Sequence, residues 1–104
     1  MMSMNMTEFQ EMSVNLVQKI DAKRDVEHGV DTTMIHIVEE FGEIAREIYT
    51  ERAHRGKMNK ANLEGEFADV FMLLAHLAGL HGVDIESAVQ SKVAELRDRF
   101  GVDL

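Results

Sequence analysis

Glu40 and Glu43 stand three residues apart in one helical stretch of this chain, and Glu66 and Asp69 stand three apart in the next. Residues three or four apart share a helix face, so two helices can aim four carboxylates at one place. Like charges there repel unless a cation stands between them, and an all-oxygen donor set suits a hard metal ion. Phosphate chemistry follows from such an ion. Taken alone, the run Glu39-Glu40-x-x-Glu43-x-x-x-Glu47 is more often a solvated helix face than a site. The second pair tips the reading, because from Val70 onward its helix is apolar on nearly every side. At ~100° per residue, Glu66 and Asp69 lie on the line that continues through Leu73 and Leu77, toward the interior. A buried carboxylate is normally paired, metal-bound or neutralised, and neither helix offers a nearby basic partner. Gly42 and Gly65 adjoin the acidic pairs, each costing roughly 1 kcal/mol relative to alanine inside a helix. They either allow close helix approach or ligand access, or are simply tolerated.

Four helices must position these groups, since helical periodicity dominates and there is neither a strand pattern nor a proline. Thr7-Glu8-Phe9-Gln10 fits a capping box for the first helix. Phe9, Met12, Leu16, Val17 and Ile20 then recur at core-facing spacing, and the helix frays out near His28-Gly29. Asp31 or Thr32 caps the second, whose stripe runs Ile37, Val38, Phe41, Ile44, Ala45 and Ile48 and which ends by Gly56. After the polar loop 56–62, Asn62 caps a third helix from about Leu63 to His81. Gly82 closes that helix, and Asp84 caps a fourth over Ile85–Phe100. Short connections favour antiparallel neighbours, so the expected architecture is all-α and four-helix bundle-like.

A chain of 104 residues is one domain by size, here 1–104 with residues 1–6 frayed or disordered. Hydrophobic content of 45% with 29% charged residues is that of an ordinary globular chain. Eleven basic against nineteen acidic residues give a net charge of -8, which argues against nucleic acid as a partner. No cysteine is present, so disulfides, thiolate metal sites and a cysteine nucleophile are excluded. The N-terminus lacks the pattern of a signal peptide, and the longest apolar run, Val70 to Leu80, falls far short of the ~20 residues that span a bilayer. A cytoplasmic protein without membrane association is expected.

The two halves Glu39-Glu40-Phe41-Gly42-Glu43 and Glu66-Phe67-Ala68-Asp69-Val70 resemble the E-E-x-x-E and E-x-x-D signature of the all-α nucleoside triphosphate pyrophosphohydrolases. The branch is the MazG-like one, related to phosphoribosyl-ATP pyrophosphohydrolase and the dimeric dUTPases. The opening Ile37-Val38-Glu39-Glu40-Phe41-Gly42-Glu43-Ile44-Ala45 looks like the family's usual motif, and the resemblance runs from about Asp21 to Phe100. Lys92, Arg97 and Arg99 look like its basic tail, while Leu96 departs from the polar residue common there.

The resemblance implies magnesium, with manganese as the alternative, held by Glu40, Glu43, Glu66 and Asp69. It implies hydrolysis of a (deoxy)nucleoside triphosphate to the monophosphate and pyrophosphate, as in house-cleaning of noncanonical nucleotides. Glu39 would orient or deprotonate the attacking water, or stand as a solvated surface glutamate. Lys92, Arg97 and Arg99 would bind the substrate phosphates, or serve only the helix macrodipole. Lys57 and Lys60 would close over the triphosphate or stay solvated. A homodimer or homotetramer is expected, from the resemblance and because so short a chain gains core by assembling. The alternative from another class is a noncatalytic nucleotide- or metal-binding helical module. Glu51-x-x-His54 also matches half of a carboxylate-bridged di-iron pattern. His36 and His76 are expected to form ordinary hydrogen bonds or line a pocket, with His28 and His81 near helix ends.

Overall fold

The computed structural model describes residues 3–104; Met1 and Met2, at the start expected to fray, lie outside the described residues. These residues form four helices and no strand: α1 Met6–Arg24, α2 Val30–Arg52, α3 Lys60–Leu80 and α4 Ile85–Phe100. The all-α expectation holds.

Local chemistry explains the boundaries, with three caps shifted from the expected residues. Asn5, not Thr7, caps α1: its side chain accepts from the Glu8 amide at 2.8 Å, and Glu8 accepts from the Asn5 amide at 3.2 Å. Thr7 instead donates to Glu86 at 2.6 Å, stitching α1 to α4. The helix closes at Asp25 in the left-handed region (φ 54°), before the expected His28-Gly29. Gly29 stands at the N-cap of α2 in place of Asp31 or Thr32, and no side chain caps there. The Thr32 hydroxyl donates back to the Glu27 and Gly29 carbonyls. Asn59 caps α3 and accepts from the amide of Asn62, the residue expected to do the capping. Gly82 (φ 66°) and Asp84 take their expected places between α3 and α4.

Packing centres on α3, which lies against both α1 and α2, while α4 turns away from α3 by 99° and buries none of its residues. The stripe that α1 buries is Gln10, Ser13, Val17 and Asp21; Leu16 and Ile20, expected in the core, are exposed. Two contacts set that rotation. The Gln10 amide donates to the carbonyls of Ala75 (3.2 Å) and Val83 (2.7 Å) and accepts from the Ile85 amide (3.0 Å). Opposite α1, a Cβ on Gly79 would lie 2.8 Å from Val14 Cγ2, so glycine is what lets the helices approach. Gly42 and Gly65 play no such part: a Cβ on either would meet nothing within 4 Å, so close helix approach is not their role.

Helix α2 buries Thr33, Ile37 and Ile44, but Val38, Phe41 and Ile48 from its expected core stripe are exposed, as are Phe67, Phe71 and Leu74 on α3. The radius of gyration is 16.5 Å, against about 13 Å for a compact domain of this length. The accessible surface is 7990 Å², against about 5900 Å² for a folded monomer of this mass. No single helix is long and apolar enough to cross a membrane.

Candidate metal centre and adjoining cavity

Helical spacing gathers His36, Glu40, Glu43 and Glu47 along one side of α2, facing the first half of α3 with Glu66 and Asp69. The carboxylates feel one another across the two helices. Burial pushes the Glu66 carboxyl above the usual range, and the charges of Glu47, Glu43, Glu40 and Asp69 add to it, in that order. Burial likewise raises Glu40, helped by Asp69, Glu43 and Glu39 and opposed by His36. The hydrogen bond from the Asn59 amide to Glu47 holds the start of α3 beside the later half of α2, as in an antiparallel pair.

The expected quartet is therefore brought to one face, though less deeply than the sequence suggested: Glu66 is half-buried, whereas Glu43 and Asp69 are exposed. Among the described residues no three such side chains stand close enough to enclose an ion as they are. Glu66 Oε2 nevertheless is buried without any hydrogen-bond partner. An orphaned carboxylate oxygen surrounded by four further carboxylates is an unfavourable arrangement that a hard cation would relieve, so the residues fit a divalent ion. Glu47 belongs to this group more closely than the motif indicates, being the largest charge acting on Glu66. Its spacing of seven from Glu40, two turns along the same face, is the signal that could have placed it there. Glu47 also accepts the Asn59 amide, tying the start of α3 to α2. Glu39 is exposed beside the group and raises only Glu40 among the shifted carboxylates.

A cavity of about 270 Å³ adjoins this face. Leu16, Val17 and Ile20 of α1 with Met72 and Leu73 of α3 form its apolar wall; Asp21, Arg24, His28, His36 and Asp69 form its polar part. The exposed apolar residues of α1 thus line a cavity rather than fill a core. Among the described residues Arg24 is the one lysine or arginine on that lining, and sequence reasoning missed it. Its place in the last turn of α1, outside both acidic helices, gave no sign of it.

Lys92, Arg97 and Arg99 are not brought to the site within the chain. Lys92 pairs with Glu95 at 3.1 Å, Arg97 pairs with Asp103 at 3.2 Å, and the Arg99 guanidinium lies over the Phe100 ring. Lys57 is exposed in the loop and Lys60 is the first residue of α3. The Glu51-x-x-His54 pattern fails because His54 lies beyond the end of α2 with φ 57°, and Glu51 accepts the Met58 amide.

Histidines join α1 to the acidic face. Asp21 accepts from the His28 backbone amide and from its Nδ1, both at 2.7 Å. Burial pushes the Asp21 carboxyl up, but these two bonds and the charges of His28 and His76 outweigh it, so the net shift is downward. His28 Nε2 lies 3.2 Å from His36 Nδ1, with the rings stacked at 5.3 Å. His36 Nε2 lies 3.4 Å from Glu40 Oε1. The fully enclosed His76 donates from Nε2 to the His28 carbonyl at 2.9 Å.

No match to a curated protein or to a solved structure is found. The family description "MazG nucleotide pyrophosphohydrolase domain" matches residues 28–100, a span that contains both acidic pairs and the helices that carry them. With the four-helix architecture and the carboxylate face in agreement, the chain belongs to the MazG nucleotide pyrophosphohydrolase family.

Proposed function

We propose that this protein hydrolyses a nucleoside triphosphate, deoxy or noncanonical forms included, between the α and β phosphates, in a reaction dependent on magnesium or manganese. The observation that carries the reading is the partnerless buried oxygen of Glu66 among the carboxylates of α2 and α3. Glu40, Glu43, Glu66 and Asp69 would hold the ion, with Glu47 beside them. Once bound, a divalent ion supplies charge neutralisation for the phosphates and lowers the pKa of a water in its shell. Glu39, exposed next to Glu40, orients the attacking water and takes its proton. The cavity holds the nucleoside against its apolar wall, and Arg24 offers a cation at its rim.

The working form is a homodimer or homotetramer. The excess surface, roughly 2000 Å² over a folded monomer of this mass, equals what one subunit of an obligate oligomer buries. The exposed apolar residues of α2 and α3 offer a surface for such an interface. In such an assembly Lys92, Arg97 and Arg99 would reach a triphosphate from a second copy.

Pyrophosphate release from a panel of standard, deoxy and modified triphosphates, with either metal, tests the reading. Release by wild type, and its loss in Asp69→Asn that remains folded by circular dichroism, is expected. Nucleotide binding without product under every condition would replace the enzyme with a binding module.

A further inference from the structure

We propose that Asp21 and His28 are positioning residues for the metal-binding carboxylate Glu40, acting through His36. The inference rests on the metal-site reading above. It arises from a continuous polar chain, Asp21–His28–His36–Glu40, with successive separations of 2.7, 3.2 and 3.4 Å.

The first link is rigid. Both oxygens of Asp21 are engaged by the one residue His28, through its backbone amide and its ring. A carboxylate only accepts, so His28 Nδ1 must donate, and the ring is held with Nε2 turned toward α2. The His28 carbonyl is fixed from the other side by buried His76. The second link stacks His28 on His36, sharing one hydrogen between Nε2 and Nδ1. The other ring nitrogen of His36 lies 3.4 Å from Glu40 Oε1. Because carboxylates end the chain on both sides, its three links need three hydrogens, one more than two neutral imidazoles supply, and the third is carried within the His28–His36–Glu40 group. Glu40 keeps only 18% of its side chain exposed, and a ring anchored through two partners holds one of its oxygens and leaves the other for the α3 side. Partners that orient ligating carboxylates typically change metal affinity about 10–100-fold. Asp21 lies on α1, outside the matched region 28–100, so the element that builds the cavity wall would also set the geometry of the metal face.

Mn²⁺ affinity, read from the free-ion electron paramagnetic resonance signal with the full chain, tests this without turnover. His36→Ala, His28→Ala and Asp21→Asn should each weaken binding about ten-fold or more, and His28→Ala in the His36→Ala background should add nothing further. A merely structural role for His28 would lower the melting temperature in chelator but leave the affinity of the folded variant unchanged, or would add in the double variant; either result overturns the proposal. Where a variant does not fold, the wild type answers by nuclear magnetic resonance. On Mg²⁺ addition the ring signals of His28 should move with those of His36 while those of exposed His54 and His81 stay in place. Movement of His36 alone would break the chain at its second link and overturn the inference. Wild type that binds neither ion would instead overturn the metal-site reading, and this inference with it.

Discussion

Gln10 is expected to be the largest single polar contributor to the docking of α1, and replacing it should be costly. The residue is 8% exposed, and its side chain makes three hydrogen bonds to backbone groups of α3, the α3–α4 turn and the start of α4, at 3.2, 2.7 and 3.0 Å. At about 1 kcal/mol for each buried bond, Gln10→Ala should cost about 3 kcal/mol. For a domain of this size each kcal/mol moves the melting temperature by about 4–8 °C, so a fall of roughly 12–24 °C is expected at fixed protein concentration. Gln10→Glu sharpens the test. It keeps the acceptor for the Ile85 amide but turns a carboxylate toward the Ala75 and Val83 carbonyls, so at neutral pH it should be no better than alanine. It should recover once acid restores a donor. Because α1 carries one wall of the cavity, both variants should also weaken nucleotide binding at temperatures where they remain folded. Thermal unfolding followed by far-ultraviolet circular dichroism at pH 7.5 and near pH 4 decides the matter. A change under about 3 °C for Gln10→Ala would refute the account of how α1 is held.

Three further outcomes follow from the charges and the surface. Glu66 and Glu40 are raised above their ordinary 4.5, so the folded state holds their protons more tightly than the unfolded chain and stability is lost as pH climbs through that window. Metal-free protein should therefore melt higher at pH 5 than at pH 7.5 relative to Glu66→Gln, a difference that saturating magnesium abolishes in wild type; equal pH profiles for the two proteins would contradict it. Asp21 is lowered below its ordinary 3.8, so its contribution is complete above that value and disappears as pH falls through the lower folded value. Asp21→Asn should thus destabilise at pH 7 yet lose its difference from wild type in strong acid, by calorimetry. Val38→Glu or Phe71→Glu, on exposed apolar faces, should shift the mass measured by light scattering toward the monomer, and an unchanged mass would remove these faces from the interface.

How much of this was legible beforehand differs by level. The acidic pairs could be read because a helix converts spacing of three or four directly into a shared face. Three caps were read two or three residues out of register, since Asn5 and Asn59 compete locally with Thr7 and Asn62 and small differences in backbone angle choose between them. Which α1 stripe is buried could not be read. Apolar spacing pointed to Leu16 and Ile20, but the Gln10 bonds and the close approach at Gly79 rotate the helix so that Ser13 and Asp21 face inward.

Sequence by itself determined the four helices, the carboxylates on α2 and α3 and the family they indicate, because each depends on local periodicity and local residue chemistry. Only the tertiary structure decided that Glu47 bears most strongly on Glu66 and holds the start of α3, that Arg24, His28 and His36 border a cavity, that Lys92, Arg97 and Arg99 stand apart from it within the chain, and that Asp21 connects to Glu40. Those facts depend on how helices rotate and cross. Rotation and crossing are set by contacts between residues distant in the chain, such as Gln10 with Val83 and Val14 with Gly79, whose pairing no local spacing encodes.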